Sequence, residues 1–133
     1  MKILFVDETN RFQSKVAEAI FNKMNSNNKI IVKSAGLHYG GYYLDKKMLK
    51  ACEEMRIKID TRPVKLTKEM WNAFDFIITT SESVKLELTQ EDKESGKTLI
   101  SWDIEELNGN SQEDMNKVIR AIAGKVRELV NVV

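Results

Sequence analysis

The stretch "KILFVDETNRFQSKVAEAIF" at residues 2–21 sets an apolar strand, a short polar loop and an amphipathic helix in immediate succession. N–H groups at the start of a helix, reinforced by the helix dipole, form a concave positive nest that suits an anion such as phosphate. The loop from Asp7 to Gln13 falls there, yet Asp7 and Glu8 bring two acids to a place where a phosphate would want none. Several chemistries fit these residue types. The loop is an anion cradle; or Asp7 attacks phosphate and forms an aspartyl phosphate, a reaction that usually needs Mg²⁺; or the acids hold a divalent cation or a partner's basic group. A plain turn that starts a helix would also favour acids. Asp103, Glu105 and Glu106 form a second acidic set, and with Glu8 they supply metal oxygens only if the chain makes them converge.

The surrounding elements decide where this loop sits. Residues 2–6 are a short continuous apolar run, the pattern of a buried strand. From Ser14 the period changes, and Ala17, Ile20, Phe21 and Met24 mark one face of a helix. "NSNN" at 25–28 breaks it, and "KIIVKS" at 29–34 predicts a second strand. Met48, Cys52 and Met55 stripe another helix after a Gly- and Tyr-rich loop, and Thr67 caps a short one through Met70, Trp71 and Phe74. "DFIITT" at 75–80 and "TLISW" at 98–102 read as further strands, with a short helix at "SVKLEL" and a solvated turn at "DKESGK" between them. Ser111 with Asp114 resembles a capping box, opening a last helix along Met115, Val118, Ile119, Ile122, Val126 and Leu129. Strands alternating with helices predict a three-layer α/β/α domain with a parallel sheet of about four strands. Ligands of such sheets gather at the carboxyl ends of the strands, where the Asp7–Gln13 loop lies.

Bulk properties narrow the classes. A chain of 133 residues, 42% hydrophobic and 31% charged, suits one globular domain over 1–133. The net charge of +1 argues against a nucleic-acid partner. No run approaches the ~20 apolar residues of a membrane span, and "MKILFV" followed by acid is no signal peptide. The single cysteine, Cys52, excludes an internal disulfide and a thiolate zinc cluster, and it fits a reducing cytoplasm. His38 is the only histidine, which argues against a histidine-based metal site, and no cofactor is expected. Cys52, striped with Met48 and Met55, is assigned to core packing, and Lys46, Lys47 and Lys50 to a solvated helix face.

In order and spacing, these segments resemble the low-molecular-weight protein tyrosine phosphatases and the related thioredoxin-coupled arsenate reductases. The family opens with a strand, then Cys, five residues, Arg and Ser, then a helix often reading Met-Ala-Glu-Ala. Here "KILFV", "DETNRFQS" and "KVAEAIF" stand in those places. "SAG" at 34–36, "IDTRPVKLT" at 59–67, "FDFIITTSES" at 74–83 and "ISWDIEEL" at 100–107 match later family segments, so the resemblance covers nearly the whole chain.

The departures fall on the chemistry. The family's reaction needs a thiolate of lowered pKa, an arginine that clamps the phosphoryl oxygens and an acid that protonates the leaving group. Asp7 stands at the nucleophilic cysteine and Gln13 at the arginine, while Glu106 and Leu107 replace the Asp-Pro of the general acid. Asn10, which shapes the loop, and Ser14, whose hydroxyl bonds the nucleophile, match the family. Arg11 lies two positions before the lost arginine, and Glu8, Thr9 and Phe12 complete the loop. "TTSESVKLELT" lacks the further cysteines of an arsenate reductase. Tyr39, Tyr42 and Tyr43 fall in a loop that borders the family's cleft, and Trp102 is placed at the cleft rim or in the core. The expectation is a phosphatase-like protein without phosphatase chemistry, whose partner is a protein, a second copy of itself or a small anionic ligand. The alternatives are a phosphomonoesterase acting on phosphomonoesters or phosphotyrosine through Asp7, and an acidic metal or cation site. Asp7 is expected to fold its carboxylate into the nest as a built-in anion, with its pKa held below the ordinary ~3.9.

Overall fold

The computed structural model describes residues 1–38, 46–60, 62–91, 97–107, 109 and 111–133. Among these residues four strands, β1 (Lys2–Asp7), β2 (Ile31–Gly36), β3 (Phe76–Thr79) and β4 (Thr98–Ser101), alternate with five helices. These are α1 (Gln13–Met24), α2 (Lys46–Glu54), α3 (Lys68–Ala73), α4 (Glu82–Glu91) and α5 (Gln112–Val132). The strands form one parallel sheet in the order β2-β1-β3-β4, as expected for a doubly covered α/β sheet.

β1 shows why the run is apolar throughout. Ile3 and Phe5 point into one cluster with Val16, Phe21, Ile119, Ile122 and Val126 of α1 and α5. Leu4 and Val6 point into the other, with Trp71, Val84 and Leu88 of α3 and α4. Side chains alternate across a strand, so a strand covered on both faces has no polar position to spare.

The second strand begins two residues later than the segment 29–34 predicted for it. Asn25 and Asn27 spend residues 25–30 on local turns, in which the Asn25 and Asn27 side chains accept from the N–H groups of Asn27 and Lys29. Ala35 and Gly36 extend the strand instead, because they pair with Val6 and Asp7. Thr67 caps α3 as its sequence predicts, its hydroxyl accepting from the Met70 N–H at 3.1 Å. Ser111 caps α5 by accepting from the Asp114 N–H, but the reciprocal bond differs from a capping box. The Asp114 carboxylate takes the Ser111 hydroxyl at 2.7 Å rather than its backbone N–H. No helix is long and apolar enough to cross a membrane among the described residues.

Candidate functional site

β1 ends at Asp7, and the chain reaches α1 through a loop that no ordinary helix cap supports. Phe12, at the N-cap position of α1, makes no side-chain capping bond, and the first turn holds no acid. The acceptor comes from the strand instead. The two oxygens of the Asp7 carboxylate accept from the Asn10 N–H and from the Ser14 N–H at 2.9 Å, the second of these in the first turn of α1. Asp7 thus closes the loop and caps the helix at once.

Asn10 holds the loop from beneath. It lies fully buried at φ 56°, a left-handed conformation that asparagine tolerates better than most residues. Its amide donates to Ser14 Oγ at 2.8 Å and Ser34 Oγ at 3.0 Å, and its Oδ1 accepts from the Val64 N–H at 2.8 Å. The segment around Pro63 is pinned further by Lys15, whose Nζ donates to the Arg62 carbonyl at 2.8 Å. Gly36 N–H donates to the Val64 carbonyl, and Leu66 N–H to the Gly36 carbonyl, both at 2.7 Å. Gly36 itself admits no side chain. A Cβ there would lie 2.5 Å from the Thr9 carbonyl carbon and 2.6 Å from the Asn10 nitrogen. Residues 34–36 and 62–66 therefore let the loop approach the sheet and tie it down.

Above the loop is a cavity of about 250 Å³. Asp7, Glu8, Thr9, Arg11, Phe12 and Gln13 line it from one side and Glu106 and Leu107 from another. The structure so brings together the cradle residues and the late acid loop that the sequence singled out. Gln13 joins them directly, its Nε2 donating to the Glu105 carbonyl at 3.2 Å. Asn10 and Ser14 are buried under the cavity rather than in its wall. Among the described residues, the N–H groups of Glu8, Thr9, Arg11, Phe12 and Gln13 have no protein acceptor, and neither has the buried Nε of Arg11.

Several expectations change. Asp7 is only 8% exposed, so the solvated-turn reading fails. Burial pushes its carboxyl up from the ordinary 3.8, outweighing the Ser14 N–H, the Ser14 hydroxyl and the Asn10 N–H, which pull it down. The expected depressed value is therefore reversed, because the hydrogen bonds recover less than the lost hydration costs. Trp102 is not at the cleft rim. It is buried with its ring 5.3 Å from that of Phe5, and it does not line the cavity. Of the late acids only Glu106 lines the cavity, and no group of three or more His, Cys, Asp or Glu among the described residues could hold a metal ion. Tyr39, Tyr42 and Tyr43 lie outside the described residues.

Sequence reasoning missed Met48 and the hydroxyl-rich wall of Thr80, Ser81 and Ser83. The carboxyl-end rule, applied to the third strand as it was to the first, would have found the hydroxyls. It also missed Lys15, 5% exposed, whose ammonium burial pushes down while Asp60, Glu18 and Asp7 pull it up. Cys52 behaves as assigned: it is buried, and burial raises its thiol to about 11, far from a reactive thiolate.

Comparisons with known proteins agree with this fold. No curated protein matches the chain. Solved structures match over nearly its full length. A mutant of YwlE from Bacillus subtilis superposes with a TM-score of 0.89 at 19% identity, covering 98% of this chain and 97% of that one. A low molecular weight protein tyrosine phosphatase from T. tengcongensis superposes with a TM-score of 0.88 at 24% identity, over 100% and 99% of the two chains. An arsenate reductase from Archaeoglobus fulgidus superposes with a TM-score of 0.76 at 25% identity, over 97% and 98%. The sequence profile described as low molecular weight phosphotyrosine protein phosphatase matches residues 2–133, and the chain belongs to that family.

Proposed function

We propose that this family member keeps the phosphate cradle as a scaffold but not the phosphatase chemistry, and that it serves as a binding or regulatory protein. The observation that carries this reading is the Asp7 carboxylate, whose two oxygens already accept the Asn10 and Ser14 N–H groups. An attacking group must present a free electron pair to the substrate. Asp7 is 8% exposed, and the N–H bond that each oxygen already accepts lowers the nucleophilicity of the lone pairs left to it.

Charge supports the same reading. Gln13, at the clamp position, is neutral and spends its amide on the Glu105 carbonyl. Asp7, Glu8 and Glu106 line a cavity whose cation, among the described residues, is Arg11. A phosphate dianion entering there meets those carboxylates and, at the position of the family's arginine, only a neutral amide, and each charge-assisted hydrogen bond forgone is worth roughly 1.5–3 kcal/mol. The partner is a protein, a second copy of the chain or a small ligand. A small anion would use Arg11 and the loop N–H groups that lack a protein acceptor.

Hydrolysis of p-nitrophenyl phosphate tests the reading. The natural protein is measured beside the Asp7→Cys/Gln13→Arg double variant. Activity in the double variant alone supports a scaffold from which the chemistry has been removed. Activity in the natural protein that vanishes with Asp7→Asn overturns it in favour of a carboxylate nucleophile.

A further inference from the structure

A larger cavity lies on the other side of the β2 end and is independent of the cradle. Its volume is about 630 Å³, within the range of roughly 300–1,000 Å³ typical of small-molecule sites, and no described residue lines both cavities. Leu37, Leu66, Trp71 and Leu88 give it an apolar floor. Lys65 and Lys68, both exposed, stand at its mouth.

The charged side chains of its described lining are lysines, Lys65 and Lys68. No acidic residue is among the described lining. The nearby Glu87 carboxylate is held by His38, another lining residue, with Nε2 and Oε1 3.1 Å apart.

A second feature is independent of these charges. Trp71 is 8% exposed, and its indole N–H is shut from water with no acceptor among the described residues. Buried indole N–H groups usually find a partner, and one without a partner is a destabilised donor. To meet a guest's oxygen, the ring would have to turn out of this buried position toward the cavity.

We propose that this cavity binds an organic carboxylate with a hydrocarbon body, the chain or ring lying on Leu37, Leu66, Trp71 and Leu88 and the carboxylate between Lys65, Lys68 and the indole N–H. The floor supplies non-directional burial, and the lysines and the indole select the head group. The proposal does not depend on the fate of the cradle chemistry.

Octanoate is the probe, with octylamine and octan-1-ol as controls of equal chain length. Binding is read on the natural protein by calorimetry. The indole N–H resonances are followed in parallel, and Trp102→Phe identifies which signal belongs to Trp71. The expected result is saturable octanoate binding that moves the Trp71 signal and leaves Trp102 in place. Octylamine and octanol should bind at least tenfold more weakly, and Lys65→Glu/Lys68→Glu should weaken octanoate at least tenfold, about 1.4 kcal/mol. These lysines are exposed, so the variant should keep the fold. Absence of saturable binding, equal binding of the amine or the alcohol, a Trp71 signal that stays put, or indifference to the lysine changes would each overturn the proposal. Displacement of octanoate by inorganic phosphate would place it in the cradle and overturn it as well.

Discussion

Ile119, Ile122, Val126 and Phe21, between the sheet and the α1–α5 pair, are buried among apolar side chains. Asn10, Ser14, Ser34 and Asp7, at the end of the same sheet, are equally hidden from water but are held by donors and acceptors that must match. The first interior is held by volume, so a side chain of the right size will serve there. The second is held by valence, where size counts for little and each atom's hydrogen-bonding role counts for much. The difference teaches where this family fold tolerates change. The apolar side can drift, whereas a change in the cradle must leave every buried partner satisfied. Asp7 meets that condition, since its oxygens accept the two N–H groups that close the loop.

The largest expected effect tests the apolar side. Ile119→Ala, at a fully buried position, should cost about 4 kcal/mol in urea unfolding, while Ile119→Val should cost only about 1 kcal/mol. Asn10 should show the opposite pattern. Asn10→Ala should cost about 3 kcal/mol through its lost hydrogen bonds and its left-handed backbone, and Asn10→Leu, though closer in volume, should recover none of it. A recovery with Leu would erase the distinction between the two interiors. Gly36→Ala should cost about 2 kcal/mol, because the new methyl meets backbone at Thr9 and Asn10 that cannot step aside. Loss of amide protection confined to the loop would place that damage in the cradle.

The subtlest test concerns Asp7 and is a change of slope. Its folded pKa lies above the unfolded value of 3.8, so the folded state holds the proton more tightly. The associated stability is present below that unfolded value and is lost as pH rises through the folded pKa. Asp7→Asn should therefore gain on the natural protein as pH is raised across that window. Equal or opposite drift in paired urea titrations would show that the N–H donors, not burial, dominate the carboxyl.

The comparison also marks what could be read from the chain. β1 and α1 were legible because an unbroken apolar run gives way to a 3.6-residue period at one point. The cradle was legible for the same reason, since a loop between such elements must lie at a strand's carboxyl end. The sign of the Asp7 shift was not. It depends on how completely the β2 end and the segment around Val64 bury the loop, and neither is near it in sequence. Trp102 was left between rim and core because a residue just past a strand can turn to either face, and here it packs on Phe5 in the core. Thr80, Ser81 and Ser83 passed unnoticed because hydroxyls after a strand look like any turn.

The spans of the cradle's bonds have a consequence for assembly. Asp7 reaches Asn10 and Ser14 over 3 and 7 residues, whereas Asn10 reaches Val64 over 54 and Gln13 reaches Glu105 over 92. Short closures cost little chain entropy and long ones must await the collapse of the sheet. The loop can thus curl around its own carboxylate early and be stitched into the fold late. A cradle shaped around an outside anion would depend on that anion's concentration, but one shaped around Asp7 carries its template on the same chain and stays formed at any dilution.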